Sequence, residues 1–72
     1  GCDFSSTLLI AANFEACDLT GCNFLGADMR DANIKNADLS ECNFLTQGQI
    51  NAAIGNRNTR IPEHLIMPVV WL

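Results

Sequence analysis

Residues 2–46 read CDFSS TLLIA ANFEA CDLTG CNFLG ADMRD ANIKN ADLSE CNFLT, a five-residue unit written nine times without interruption. The third place of every unit is apolar: Phe4, Leu9, Phe14, Leu19, Phe24, Met29, Ile34, Leu39 and Phe44. The first place is small: Cys2, Thr7, Ala12, Cys17, Cys22, Ala27, Ala32, Ala37 and Cys42. The second is Asp or Asn in every unit but one, where Leu8 stands instead, and the fourth and fifth places are mostly polar.

An apolar period of five advances 500° around a helix, so the marked positions never gather on one face and no amphipathic helix is read here. First and third places lie two apart and share a face of an extended segment, which points both side chains inward. The next inward residue comes three later, so the chain turns a corner at the fourth and fifth places. Ser6, Gly21, Gly26 and Asn36 suit such corners through tolerance of unusual φ/ψ or through local hydrogen bonding. Sliding residues 1–46 against themselves gives 11 identities in 26 pairs at a lag of 20 and 9 in 36 at a lag of 10, so the coil repeats every four units. Four sides then close a square, with Phe4, Phe24 and Phe44 in one column, Leu9 with Met29, Phe14 with Ile34, and Leu19 with Leu39 in the others. Two coils and a quarter would stand about 11 Å tall at one strand spacing per coil.

Composition narrows the functional classes. The chain of 72 residues is near the size at which one apolar core just offsets chain entropy, and repetition supplies the extra order. No run approaches the ~20 apolar residues of a membrane span, and no signal-peptide pattern opens the chain. Eight acids against four bases give a net charge of −4, and residues 1–46 hold seven of the acids and two of the bases. Such a body disfavours nucleic acid and suits basic protein surfaces. The four cysteines all take the small first place that Ala holds elsewhere, so they are read as buried free thiols rather than a disulfide or zinc set, in a reducing cytoplasm.

The A(D/N)LXX-type units, as in Ala27-Asp28-Met29-Arg30-Asp31 and Ala37-Asp38-Leu39-Ser40-Glu41, resemble those of the pentapeptide-repeat protein family. The resemblance covers about two-thirds of the chain. It implies an all-β, right-handed quadrilateral β-helix, the Rfr fold. The tail, with Leu45–Ile50, Ala52-Ala53, Gly55 and Ile61-Pro62, is similar to the ending of small cyanobacterial members.

The repeat is expected to fill residues 1–46, and residues 47–72 to form a C-terminal helix and cap within the same domain. Thr46 reads as an N-cap with Gln49 as its capping-box partner, and Leu45 and Ile50 as a hydrophobic staple. Ile50, Ala53 and Ile54 share one face of the expected helix, with Gly55 at C′. Pro62 starts a turn, and the segment reaching Trp71 is expected to lie as a lid on the last coil. A docking site centred on Trp71, or a tail swapped onto a neighbour, is the alternative for the same residues. At the other end Cys2 and Phe4 face an open coil. The missing initiator Met and the fifth-place register of Gly1 suggest coils upstream; otherwise a second molecule covers this end, giving a homodimer. Leu8 and Ile10 mark that interface, because both are apolar at outward places; Leu25 and Leu45 form a second outward pair.

No catalytic group emerges. Ser5, Ser6 and Ser40 have no His beside them in the repeat, and His64, next to Glu63, reads as a surface or lid residue. The acid pairs Asp28/Asp31 and Asp18/Asp38 recur at solvent-facing places, and Asn13/Asn33 and Asn23/Asn43 are read as hydrogen-bonded ladders. There is no GxGxxG or P-loop arrangement. No cofactor, metal or small-molecule substrate is expected. The chain reads as a non-enzymatic structural or protein-interaction module. The alternative, implied by the resemblance, is a DNA-mimicking regulator of DNA gyrase, which would need dimerisation or further coils to reach the length of a DNA turn.

Overall fold

Eight consecutive turn bonds shape the chain. The first-place N–H of each unit donates to the third-place carbonyl of the unit before, from Thr7 to Phe4 (3.2 Å) through to Cys42 to Leu39 (3.1 Å). Seven of these eight corners carry a fifth-place residue in the left-handed region: Ser6, Ala11, Ala16, Gly21, Gly26, Asp31 and Asn36, with φ between 55° and 75°. A type II turn demands that conformation of its third residue. Glycine supplies it without strain at two corners, and Ala11, Ala16 and Asp31 adopt it under the discipline of the coil.

This computed structural model describes residues 1–72. Between corners the chain runs as short extended sides that pair in parallel with the side twenty residues on: Asp3 with Asn23, Leu8 with Asp28, Asn13 with Asn33, Asp18 with Asp38, and Asn23 with Asn43. Each side makes the same bonds. The third-place N–H donates up to the next coil, as Phe4 does to the Asn23 carbonyl (2.8 Å), and the second-place N–H of that coil donates back, as Asn23 does to Cys2 (2.9 Å).

The reason for Asp or Asn at the second place is local. Its side-chain oxygen accepts from the backbone N–H two residues on, at 2.9–3.2 Å, in Asp3, Asn13, Asp18, Asn23, Asp28, Asn33 and Asp38. These are Asx turns that satisfy an outward-facing N–H at each corner. The expected Asn ladders are thus corrected: Asn13, Asn23 and Asn33 bond their own corner, not one another. Leu8 offers Ile10 no such acceptor.

Inward side chains fill the coil. Phe24, Met29, Ile34 and Leu39 of the second coil are fully buried, each contributing about 1.5–3 kcal/mol. In the first coil Leu9 and Leu19 are buried but Phe4 and Phe14 are only half-buried. Phe4 stacks on Phe24 with centroids 5.4 Å apart and meets Phe14 edge-on at 5.5 Å. Small first places follow the same gradient: Cys22, Ala27, Ala32 and Ala37 are buried, Thr7, Ala12 and Cys42 half-buried, Cys2 and Cys17 exposed. The expectation of four buried thiols is corrected for Cys2 and Cys17, since nothing of this chain lies beyond their coil; all four thiols are free.

The regular coil ends one residue early. Phe44 turns outward at φ 60° and is 63% exposed, while Leu45 turns in and is 3% exposed. Phe44 therefore does not cap its column, and Leu45 is not an outward partner of Leu25. The cause is the helix that follows, α1 (Gln47–Ala52). Thr46 must be extended to cap it (φ −110°, ψ 160°), and Leu45 then takes the inward place. The capping box is complete: the Gln49 N–H donates to Thr46 Oγ1 (3.2 Å) and the Thr46 N–H to Gln49 Oε1 (2.9 Å).

Helix α1 stops at Ala53, an extended cap, so Ile54 is not on its face. Ile54 instead pairs with Asn33 and stands exposed, and Arg60 pairs with Asp38, so the tail continues two sides of the coil. Gly55 likewise is no C′ residue; the Trp71 indole lies so close that a Cβ there would stand 2.7 Å from Cδ2 and Cε2. The chain ends in a 3-10 turn, Val69–Trp71, that buries Trp71.

Candidate functional site

The outward surface of the first coil carries the features that the repeat does not explain. Leu8 is 77% exposed and Ile10 is 47% exposed, on a coil whose inward Phe4 and Phe14 also remain in partial contact with water. The side above them, one coil on, holds Asp28 and Arg30, joined by a bidentate ion pair at 2.7 Å. Two exposed apolar side chains thus lie one coil below an ion pair.

The remaining polar groups are spent locally. Thr20 Oγ1 donates to Asp18 and Ser40 Oγ to Asp38, both at 2.6 Å. The side chain two residues on, and then the backbone N–H there, hold Asp3, Asp18, Asp28 and Asp38 below the usual 3.8. Asp38 also feels Arg60, which offsets Asp18 in the same column. Ser40 thus donates to a carboxylate instead of facing a base, and His64 is exposed. No group of three or more His, Cys, Asp or Glu side chains comes together. No pocket indents the surface, and no helix is long and apolar enough to cross a membrane. Burial pushes the Cys42 thiol up to about 12, and its Sγ donates to the Leu19 carbonyl at 2.9 Å.

A depressed carboxylate stabilises the fold at any pH above its unfolded value, and that contribution disappears as pH falls through the lower folded value. Thermal stability is therefore expected to hold from neutrality to about pH 4 and to decline on further acidification. Changing Asp3, Asp18 and Asp38 together to Asn keeps the Asx acceptor, as Asn13 and Asn23 already show, and should flatten that decline in scanning calorimetry. An unchanged acid limb would refute the assignment.

The tail also makes long-range bonds that sequence reasoning missed, from Gln49, expected only as the capping-box partner, and from Gln47, Asn56 and Thr59. Gln49 Nε2 donates to the carbonyls of Phe24 (2.7 Å) and Ala27 (3.0 Å), replacing a ladder bond that α1 cannot make. Thr59, buried, donates from Oγ1 to the Ile34 carbonyl at 2.9 Å, and Asn56 pairs by its amide with Asn36. Gln47 binds the peptide group of Ile66 on both sides, accepting at 2.8 Å and donating at 2.7 Å.

With the geometry in place, comparison with known families adds one decisive match: the model for pentapeptide repeats fits eight copies across residues 7–44, more than half of the chain. The chain belongs to the pentapeptide-repeat family. Its fold is accordingly of the β-helix type. No curated protein and no solved structure matches it. The pentapeptide-repeat match includes the unit of Leu8 and stops at Phe44, where the inward column passes to Leu45.

Proposed function

We propose that this pentapeptide-repeat chain is a right-handed quadrilateral β-helix closed at its C-terminal end by residues 47–72, working without catalysis as a rigid module in the cytoplasm that binds protein. Its first partner is a second copy, joined through the first coil. The observation that carries this reading is the pairing of exposed Leu8 and Ile10 with half-buried Phe4 and Phe14 on one coil, while the inward residues of the next coil are buried. Two copies brought together there would remove these side chains from water. Neither a small-molecule substrate nor nucleic acid is part of the proposal, since the surface has no pocket and the body is acidic.

A second reading, regulation of DNA gyrase by DNA mimicry, draws on the seven acids and two bases of residues 1–46, one of those bases, Arg30, being already neutralised by Asp28. The longest extent of the chain, 28 Å, is shorter than the ~34 Å of one B-DNA turn. A joined pair would exceed it. The test of both readings is the solution mass by light scattering of the chain and of a Leu8→Asp, Ile10→Lys variant. A dimer in the first that becomes a 7.8 kDa monomer in the second is expected, and it would send the acidic rod on to a supercoiling assay. A monomer in both overturns the N-terminal pairing and, for a body of this length, the gyrase reading that depends on it.

A further inference from the structure

The first coil ends in an unpaired β-edge. In the second coil each second-place residue turns both its N–H and its C=O toward the coil below, as Asn23 does in donating to the Cys2 carbonyl (2.9 Å) and accepting from the Phe4 N–H (2.8 Å). In the first coil the same groups belong to Asp3, Leu8, Asn13 and Asp18, all exposed, and no group of residues 1–72 bonds to them. The opposite edge is occupied: Ile54 and Arg60 of the tail donate to the carbonyls of Ala32 (2.8 Å) and Ala37 (2.9 Å). A second copy therefore meets the open edge with its own. An extended peptide could pair with one side, whereas a second copy turned over about a two-fold axis presents several antiparallel sides at once.

The shape of the edge restricts how two copies fit. In an antiparallel pair of this kind, residues directly opposite exchange two bonds. The coil climbs about 4.8 Å per circuit, or about 1.2 Å per side, so its edge is a ramp. Counting the sides in chain order from Asp3 to Asp18, the gap between two facing sides grows with the sum of their places. Facing sides with equal sums touch together; a sum larger by four lies one strand spacing away. Two registers bring three or more sides into contact. One joins all four and sets Asp3 opposite Asp18 twice. The other joins three, with Leu8 opposite Leu8 and Asp3 opposite Asn13 twice, and leaves the two Asp18 residues one strand spacing further apart.

Charge separates the two registers. Like charges directly opposite oppose pairing, whereas an amide opposite a carboxylate supports it. A side chain on the two-fold axis meets its own copy, so an acid there would face its own charge. Leu8 is the one second-place residue of the nine that is neither Asp nor Asn. Resting on the reading that two copies join through the first coil, we propose that they pair edge to edge in the three-sided register, with the two-fold axis passing between the Leu8 residues. Leu8→Asp then sets two carboxylates against each other on the axis, in keeping with the monomer expected of that variant.

Hydrogen exchange on the unaltered chain, at a concentration where light scattering gives a dimer, tests the register. The amides of Asp3, Leu8 and Asn13 are expected to exchange at least tenfold more slowly than in the Leu8→Asp, Ile10→Lys monomer, after correction for intrinsic rates. The amide of Asp18 should exchange equally in both. A dimer that protects none of these amides joins by the flanks of the first coil, and one that protects Asp18 as well has the four-sided register; either overturns the proposal and leaves the pairing itself in place. A chain that stays monomeric overturns the pairing and the register together. Substitution gives a second reading. Asn13→Asp, which keeps an Asx acceptor as Asp3 does, sets a carboxylate opposite each Asp3 and should weaken the dimer about 3–10-fold. Adding Asp3→Asn should restore it, while Asp18→Asn alone should change the affinity by less than about twofold. A dimer tightened by Asp18→Asn and indifferent to Asn13→Asp would reverse the assignment.

Discussion

Phe24→Ala is expected to remove about 3–5 kcal/mol, whereas Phe44→Ala should change stability by no more than about 0.5 kcal/mol. The two residues occupy the same third place, twenty residues apart, in units spelled CNFLG and CNFLT. Phe24 is completely buried and stacked on Phe4, so its loss leaves a cavity in the middle coil. For a chain of this length total stability is about 4–11 kcal/mol, so the substitution leaves little margin. Phe44 is solvated and held in the left-handed region, where a bulky L-residue is strained. Phe44→Asn, which tolerates that conformation, should therefore stabilise by up to about 1 kcal/mol. Urea denaturation followed by circular dichroism would read all three, and equal losses for Phe24→Ala and Phe44→Ala would show that the column does not pass to Leu45.

Gln49→Glu should be the second most damaging change, although capping rules treat the two residues as equals. A glutamate still accepts from the Thr46 N–H, and a negative charge near the start of α1 contributes about 0.3–1 kcal/mol in its favour. It cannot donate. The Ala27 carbonyl loses its partner, at about 1–3 kcal/mol, while the Phe24 carbonyl keeps its turn bond from the Ala27 N–H (3.0 Å), and both face a carboxylate in place of an amide. The stranded Ala27 carbonyl and the repulsion at both oxygens outweigh the gain at the helix start, and a net loss of about 1–3 kcal/mol is expected at neutral pH. A protonated acid recovers one donor, so burial beside two carbonyls raises the folded pKa of the new acid, and the gap to the parent chain should narrow as pH falls toward 4. A gap independent of pH would mean that the two carbonyls are not what selects glutamine.

What the sequence discloses is whatever repeats. The period of five marks the inward columns, and the lag of 20 reappears as the spacing from Asp3 to Asn23. Capping by Thr46 and Gln49 is also legible, because its signature is local. Its consequence is not: the identity of Phe4, Phe24 and Phe44 argues for one column, and only the geometry of an extended Thr46 hands the place to Leu45. Ile54 misleads for a similar reason. Its helical spacing from Ile50 is genuine in the sequence, but its partner Asn33 lies twenty-one residues back, one residue outside the period of the coil. Leu8 and Ile10 are visible as exceptions to a rule, the most readable signal a repeat can offer. Gln47 and Thr59, by contrast, bond to backbone 19 and 25 residues away, and no spacing announces that. The second-place Asp and Asn stand out by their place, yet stacking one coil apart suggests the wrong partner for the Asn residues, although their actual bond is the shortest-range of all.

The pairing of every side with the side twenty residues on also bears on how the chain reaches this state. No side of the first coil can make a ladder bond until the chain has travelled a full circuit, so every such bond spans more than a quarter of the 72 residues. Topologies dominated by non-local pairing belong to the slow end of small domains, with relaxation in milliseconds to seconds. Once Asn23 has closed on Asp3, each further residue finds its partner already laid down, so the early circuit sets the rate and the rest follows as a zipper.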